Sequence, residues 1–316
     1  MKISNSLIYI ALTFLILTSL NSCQRKFKEH NISISGAFAL YPLTVKWAEE
    51  YQKLHPEITI DVSAGGAGKG MTDVLSGMVD LAMFSRTVSH EEISNGAWAV
   101  AVACDAVVPT VNSSNPYIAV ILKQGITQQQ FADIYINNKI TKWNQLFPSA
   151  KAEKINIYTR SDACGANEMW AKFLNSNQES LTGIGVFGDP GIADAVKSDK
   201  LGIGYNNIIY AYDIRSRKAF DGMKVIPIDI NNNGKIDEEE CFYDSLDDIT
   251  NAIAEDRYPS PPARELTFIS KGKPAKKITI DFLNWILTEG QKYVHEAGYV
   301  KLKPEIVVEQ KVKLSK

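Results

Sequence analysis

An α/β fold is the class this sequence predicts, and three observations carry it. Apolar runs of strand length are followed, again and again, by a short turn rich in small residues and then by apolar residues at helical spacing. The chain has 316 residues, which suits two domains or one large one, and 45% of them are hydrophobic, enough for a proper core. No repeat and no low-complexity tract interrupts the pattern. The net charge is −2, so nothing in the composition points to nucleic acid. A small anion would have to be drawn by local dipoles and a few arginines rather than by a global field.

The first 22 residues read as a secretory signal. Lys2 precedes an apolar run at 7–17, and polar residues follow too soon for a convincing membrane span. Leu20, Ser22 and Cys23 resemble a bacterial lipobox, which makes Cys23 the expected site of cleavage and acylation. The alternatives are a cleaved signal with a free Cys23, or an uncleaved anchor. Residues 23–30, with Arg25, Lys26 and Lys28, then form a short basic tether near the membrane surface. Cys104, Cys164 and Cys241 remain, an odd number that cannot all pair within the chain, and their spacing offers no zinc site. His30, His55, His90 and His295 are scattered and read as surface residues.

The mature chain opens with a strand at 31–36. The turn GAFALY at 36–41 leads to Pro42, which suits a first helical position, and Leu43, Trp47, Tyr51 and Leu54 recur at helical spacing until Pro56. A second unit repeats the arrangement. Ile58, Ile60 and Val62 alternate along a strand, SAGGAGKGM fills 63–71, and a helical pattern runs over 71–79. Glycines between strand and helix let backbone N–H groups turn toward a point that the positive end of the helix dipole also faces, which in physical terms is an anion site. The alternative is a flexible surface turn. It is not a P-loop, because Gly70 rather than Ser or Thr follows Lys69, and it lacks the dinucleotide spacing. Two such helix starts are expected to face one cleft at the carboxyl ends of the strands.

Residues 80–84 give a third strand, with the Ser85 hydroxyl and Arg86 guanidinium at its end, both suited to an anion. A surface ion pair is the alternative for Arg86. A long buried strand over 99–111 contains Asp105, and NSSNP at 112–116 reads as a hinge or domain crossing. Thr127 caps a helix reaching 135, and a helical turn occupies 142–146. A strand at 155–158 feeds TRSDACGAN at 159–167 into a helix carrying Met169, Trp170, Phe173 and Leu174, with Arg160 the strongest anion ligand of that turn. A short strand at 201–205, a helix at 247–254, an extended crossing YPSPP at 258–262, a strand at 266–270, an amphipathic helix at 280–287 and a closing segment at 290–300 complete the order.

The sharpest motif is DINNNGKIDEEE at 229–240, which matches the twelve-residue calcium loop. Asp229, Asn231 and Asn233 hold positions one, three and five, and Gly234 takes the sharp turn at six. Lys235 offers its carbonyl at seven, Asp237 stands at nine, and Glu240 is the bidentate residue at twelve. Residues 225–228 enter the loop as a strand, so this is a solitary loop rather than a paired sensor, and a permanent structural calcium ion is expected. The alternative is a solvated acidic turn.

Taken together, these pieces resemble the phosphate-binding proteins of bacterial ABC phosphate transporters. The resemblance covers about residues 32–300. It rests on GAFALYPL with Trp47 and Tyr51, GGAGKGM at 65–71, DLAMFSR at 80–86, RSDACGA at 160–166, LGIGY at 201–205, KGKP at 271–274 and the closing 290–300 segment. It implies the two-lobed, type II periplasmic-binding-protein fold, with mixed sheets flanked by helices and a ligand cleft between lobes. Residues 31–108 and 265–316 would form lobe 1, and 109–264 lobe 2. The carried-over anion site comprises Ala39, Ala67, Gly68, Ser85, Arg86, Arg160, Cys164, Gly165 and Ala166. Where the family has Gly-Ser-Thr-Thr, Gly-Ser-Gly-Thr-Gly and Arg-x-Asp-Gly-Ser-Gly-Thr, this chain has Ala39, then Ala67 and Lys69, then Cys164 and Ala166. Each lost hydroxyl bond to a charged ligand costs roughly 1.5–3 kcal/mol.

The implied function is a lipid-anchored solute-binding protein of the periplasm or cell envelope. It would capture an oxyanion, phosphate first, and deliver it to an ABC permease, working as a monomer as such folds usually do. The competing reading is the same fold reused as a sensor or partner-binding lipoprotein, or for an organic ligand. Catalysis is not expected, since no nucleophile–base pair, carboxylate pair or catalytic metal cluster is seen. Cys164 at a helix start has the placement for a lowered pKa, but the sequence places no histidine to serve it.

Overall fold

The computed structural model describes residues 30–315. The expected signal at 1–22, the lipidation site Cys23 and the tether up to residue 29 lie outside the described residues.

Eleven strands are present among those residues: β1 (Asn31–Gly36), β2 (Thr59–Ala64), β3 (Leu81–Phe84), β4 (Ala97–Asn112), β5 (Ile126–Thr127), β6 (Asn156–Arg160), β7 (Ile184–Val186), β8 (Gly202–Asn207), β9 (Met223–Val225), β10 (Ile228–Asp229) and β11 (Ala263–Lys271). They form a mixed sheet in the order β2-β1-β3-β11-β4-β8-β6-β7, with β9 also on β4 and a separate β5–β10 pair. β1 runs parallel to β2 and β3, and β6 parallel to β7 and β8. β11 and β4 are antiparallel to their neighbours.

The middle of the sheet explains the two lobes. β4 is long and apolar almost throughout, as expected of a strand covered on both faces. Its first part, to Ala106, pairs with β11, and Val107–Val111 pair with β8. One core gathers Trp47, Phe84, Val100, Phe268 and Phe282; the other gathers Val107, Phe131, Trp170, Tyr205 and Tyr258. The two cores therefore part within β4 itself, beside Ala263 at the start of β11. The crossing expected at 112–116 is not there. Asn112 lies inside the second lobe, its amide donating to the carbonyls of Val196 (3.0 Å) and Lys197 (2.7 Å) and its Oδ1 accepting from Ser114 N. The polar run marks a capped strand end, whereas an unbroken strand carries the chain between lobes. The 258–262 segment does lie at the crossing, where Tyr258 donates to the Val107 carbonyl at 2.7 Å.

Helices follow the parallel strands. Tyr41–Leu54 buries Leu43, Trp47 and Tyr51 against the first core, while Leu54 at its end is exposed. Ala67–Leu75 begins inside the glycine loop rather than at Met71, so the loop's second half is the first turn of the helix. Among the elements not anticipated, besides the short helices His90–Ser94, Ile118–Gln124 and Ile208–Ala211, are β7, the helix Gly188–Ser198 and the helix Pro304–Ser315. The last packs on the first lobe, burying Leu314 and accepting from Ala101 N through Gln310 at 3.2 Å.

Candidate functional site

Four helices start at the carboxyl ends of parallel strands and face the gap between lobes: Tyr41–Leu54 after β1, Ala67–Leu75 after β2, Gly165–Phe173 after β6 and Gly188–Ser198 after β7. Helix starts leave backbone N–H groups without intrahelical partners, with the positive dipole end behind them. In the first lobe the turns are drawn together. The N–H groups of Gly65 and Gly66 donate to the Gly36 carbonyl at 2.9 and 3.0 Å. A Cβ at Gly70 would sit 2.7 Å from the Gly36 Cα, so this approach requires glycine.

The lobes meet face to face at these turns. Gly68 N donates to the Ala163 carbonyl at 3.3 Å, and Gly165 packs on the backbone and hydroxyl of Ser85 so closely that no Cβ fits. Phe38 and Phe187 meet edge to face across the mouth at 5.9 Å. Tyr210 donates to the Phe38 carbonyl at 3.2 Å, and Tyr299 holds the Ala39 carbonyl at 2.8 Å. Ala39, Ala67, Cys164 and Ala166, at the family's hydroxyl positions, are all buried.

Both candidate arginines are present, and both are already paired. Arg160 ends β6, with its side chain 1% exposed. Its Nε and Nη2 donate to Asp162 at 2.7 and 2.5 Å, and its Nη1 donates to Asp189 at 2.5 Å. Burial works against the Arg160 charge, but the neighbouring carboxylates, Asp189 foremost, outweigh it and hold the pKa above its ordinary value. Its backbone is fixed too, the carbonyl accepting from Asn167 Nδ2 at 3.1 Å. A stacked Trp170–Tyr205 pair supports the helix behind. Arg86 forks onto Glu92 at 2.6 and 3.0 Å and reaches Glu168 of the opposite lobe at 3.3 Å. Lys69, where the family has threonine, turns away to pair with Asp73, which also accepts from Ser35 at 2.7 Å.

Cys164 corrects one expectation. It is the N-cap residue, with Sγ accepting from Asn167 N at 3.5 Å, yet burial pushes its thiol up to about 12 despite Arg160 nearby. It is an inert cap rather than an activated nucleophile. Asp162, Asp189, Phe38 and Glu168 were not picked out from sequence. A signal for Asp189 was available, since GDPG at 188–191 places Asp and Pro in a helix's first turn.

The 229–240 loop is a separate candidate on the second lobe. β10 leads into it, Gly234 turns at φ +80°, and Ile236 N is tied to the Lys123 carbonyl at 3.0 Å. Asp229 accepts from the N–H groups of Asn233 and Gly234, and Glu240 from those of Ile230, Asn231 and Asp237. Asp229 and Glu240 are buried. The Lys235 ammonium and the amide nitrogens of Asn231 and Asn233 converge on Asp237, and in that order hold its carboxyl down at about 2. No group of three or more His, Cys, Asp and Glu side chains is close enough to hold a metal among the described residues. The loop's donor set relies on asparagine and backbone oxygens as well as carboxylates, a chemistry suited to a hard cation.

A PBP superfamily domain model matches residues 24–289, and the chain belongs to that family. It is 26% identical to the phosphate-binding protein PstS of Xylella fastidiosa (strain Temecula1), over 89% of this chain and 84% of that protein. Among solved structures, a putative phosphate ABC transporter substrate-binding protein from Clostridium perfringens with bound phosphate is similar, with a TM-score of 0.70, 22% identity, and coverage of 86% of this chain and all (100%) of that one. An ABC-type phosphate transport receptor from Vibrio cholerae gives 0.62 and 20%, with the same coverages, 86% and 100%. At such identities the structural likeness carries the fold: the two-lobed, type II periplasmic-binding-protein architecture.

Proposed function

We propose that this chain is an extracytoplasmic solute-binding protein that captures phosphate for an ABC importer. The observation that carries the reading is Arg160, buried where helix starts from both lobes converge. Of the five N–H bonds of a guanidinium, three are used on Asp162 and Asp189, which leaves two for a ligand. The carboxylates hold the fork rigid, and backbone N–H groups supply the remaining donors. Closure is favoured because only the closed state lets both lobes contact the anion. The relatives' names support phosphate as the anion. The signal expected at 1–22, with Cys23 after it, supports export and lipid anchoring, and no helix among the described residues is long and apolar enough to cross a membrane.

The test is a thermal-shift titration of the chain after Cys23 against phosphate, sulfate, molybdate and organic phosphates, at fixed calcium. A saturable shift with phosphate is expected. A second reading, an organic ligand or a protein partner, draws on the four buried Ala and Cys residues at the family's hydroxyl positions; a shift with an organic phosphate alone, or with none of the anions, would favour it.

We also propose that the 229–240 loop binds calcium through Asp229, Asn231, Asn233, the Lys235 carbonyl, Asp237 and Glu240, the ion displacing the Lys235 ammonium from Asp237. Calcium should raise the melting temperature and a chelator reverse the rise; no response to either would leave the loop a solvated turn.

A further inference from the structure

Behind Arg160 and Asp189 runs a buried polar chain whose further members, Asn207, Arg264 and Asp105, no part of the anion reading uses. Asp105 in β4 and Arg264 in β11 are register partners at the point where both strands pass between lobes. Arg264 Nε lies 3.1 Å from Asp105 Oδ1, and its Nη2 lies 3.3 Å from Oδ2. The same Nη2 donates to Asn207 Oδ1 at the end of β8. Asn207 passes the link on, its Nδ2 donating to Asp189 Oδ1 at 2.8 Å and its backbone N–H to the same oxygen at 3.1 Å. Asp189 Oδ2 then holds Arg160 Nη1 at 2.5 Å. Asp105 and Asp189 are 0% exposed, Asn207 2%, Arg160 5% and Arg264 9%.

The order of charges along this chain is carboxylate, guanidinium, amide, carboxylate, guanidinium. A guanidinium only donates and a carboxylate only accepts, so the Asn207 amide has one permitted orientation, oxygen toward Arg264 and nitrogen toward Asp189. The links run unbroken from Asp105 to Arg160, although Arg264 Nη1 has no partner of its own, and a break in them leaves a buried charge uncompensated.

We infer that Asp105, Arg264, Asn207 and Asp189 are positioning residues for the Arg160 guanidinium, so that the geometry of the interlobe crossing sets the affinity for the anion. The inference rests on the reading of Arg160 as a phosphate ligand. Rotation of the lobes about β4 and β11 shifts Arg264 against Asn207, and through Asp189 this reaches the donors that Arg160 offers.

The experiment measures inorganic phosphate affinity calorimetrically, well below the melting temperature, for Asn207→Ala, Arg264→Met, their double variant and Arg160→Ala. Each single variant should raise Kd about tenfold, and the double no further than the larger single effect, since members of one network are not additive. Effects that multiply in the double would overturn the inference, because independent structural damage adds in free energy. So would wild-type affinity in both singles while Arg160→Ala loses binding. Wild-type affinity in Arg160→Ala would instead show that Arg160 is no ligand, and the phosphate reading of the site would fall first. Should Arg264→Met fail to fold, Arg264→Lys keeps the charge opposite Asp105 but not the fork that reaches Asn207, and the same tenfold and non-additive pattern is required of it.

Discussion

The interlobe contact and the 229–240 loop are both polar and framed by glycine turns, yet they are assembled at different ranges along the chain. Every side chain of the loop candidate comes from twelve consecutive residues, and its buried carboxylates are satisfied by backbone N–H groups of the same twelve. The cleft joins Phe38 to Tyr210, Gly68 to Ala163, Arg86 to Glu168 and Arg160 to Asp189. A local site exists wherever its own loop folds. A site built from two lobes exists in full only when they close, which is how a binding protein couples capture to conformation. The difference also sets where charge can be kept. The loop leaves Asp237 partly exposed with its donors around it, whereas the cleft buries Arg160 and must surround it with carboxylates.

The largest effect expected from breaking one site and not the other is at Arg160. Arg160→Ala should weaken phosphate binding by about 3 kcal/mol, or ~100-fold, as truncating a buried charged partner does. It also strands Asp162 and Asp189, so the melting temperature should fall as well. Titration calorimetry on Arg160→Lys, which keeps the charge but loses the fork, should still show a Kd more than tenfold higher; an unchanged Kd there would remove the fork from the mechanism.

Next comes the loop. Calcium at 100 to 1,000 times its Kd should stabilise the protein by about 3–4 kcal/mol, and Glu240→Gln should abolish most of that gain. Phosphate affinity should not change in this variant. A phosphate Kd that moved with Glu240 would show that the two sites are coupled, contrary to the separation drawn above.

A smaller effect is expected at the lobe boundary. Arg86 and Glu168 are about one-fifth exposed (19% and 20%) and pair across the cleft at 3.3 Å. Glu168→Gln should raise the phosphate Kd a few-fold at low salt and by little at high salt, since partly exposed pairs are weak and screened. Equal losses at both ionic strengths would mean that Glu168 acts by packing. The smallest perturbation is chemical: of the cysteines at 104, 164 and 241, the exposed Cys241 should react with a thiol reagent at pH 8. Cys164, buried and with its thiol pushed up to about 12, should react only on unfolding. Mass mapping of the labelled peptides reads this directly, and rapid Cys164 labelling in the native protein would contradict the closed cap.

What could be read from the chain follows the same division between near and far. The strand–turn–helix units at 31–54 and 58–75 were legible because strand alternation, Pro42, the glycine loop and helical spacing are all short-range signals. Thr127 as a cap and the glycine turn of the 229–240 loop were legible for the same reason. The C-terminal helix Pro304–Ser315 escaped because its apolar stripe is weak and it finds its face only by packing on β4. Arg160 was visible in its turn as a ligand candidate, but its partner Asp189 was not, since nothing in a sequence states which carboxylate will stand behind which guanidinium.

The sequence by itself determined the two opening strand–turn–helix units, the glycine-bearing helix start after β2 and the spacing of oxygen-bearing residues in the 229–240 loop, because each depends on backbone preferences and spacings within about a dozen residues. Only the tertiary structure decided that the chain crosses between lobes inside β4, that burial outweighs the helix start at Cys164, and that Arg160 is held by Asp162 and Asp189 with Arg264 and Asp105 behind them. These depend on which strands become neighbours, and on how much water that neighbourhood excludes.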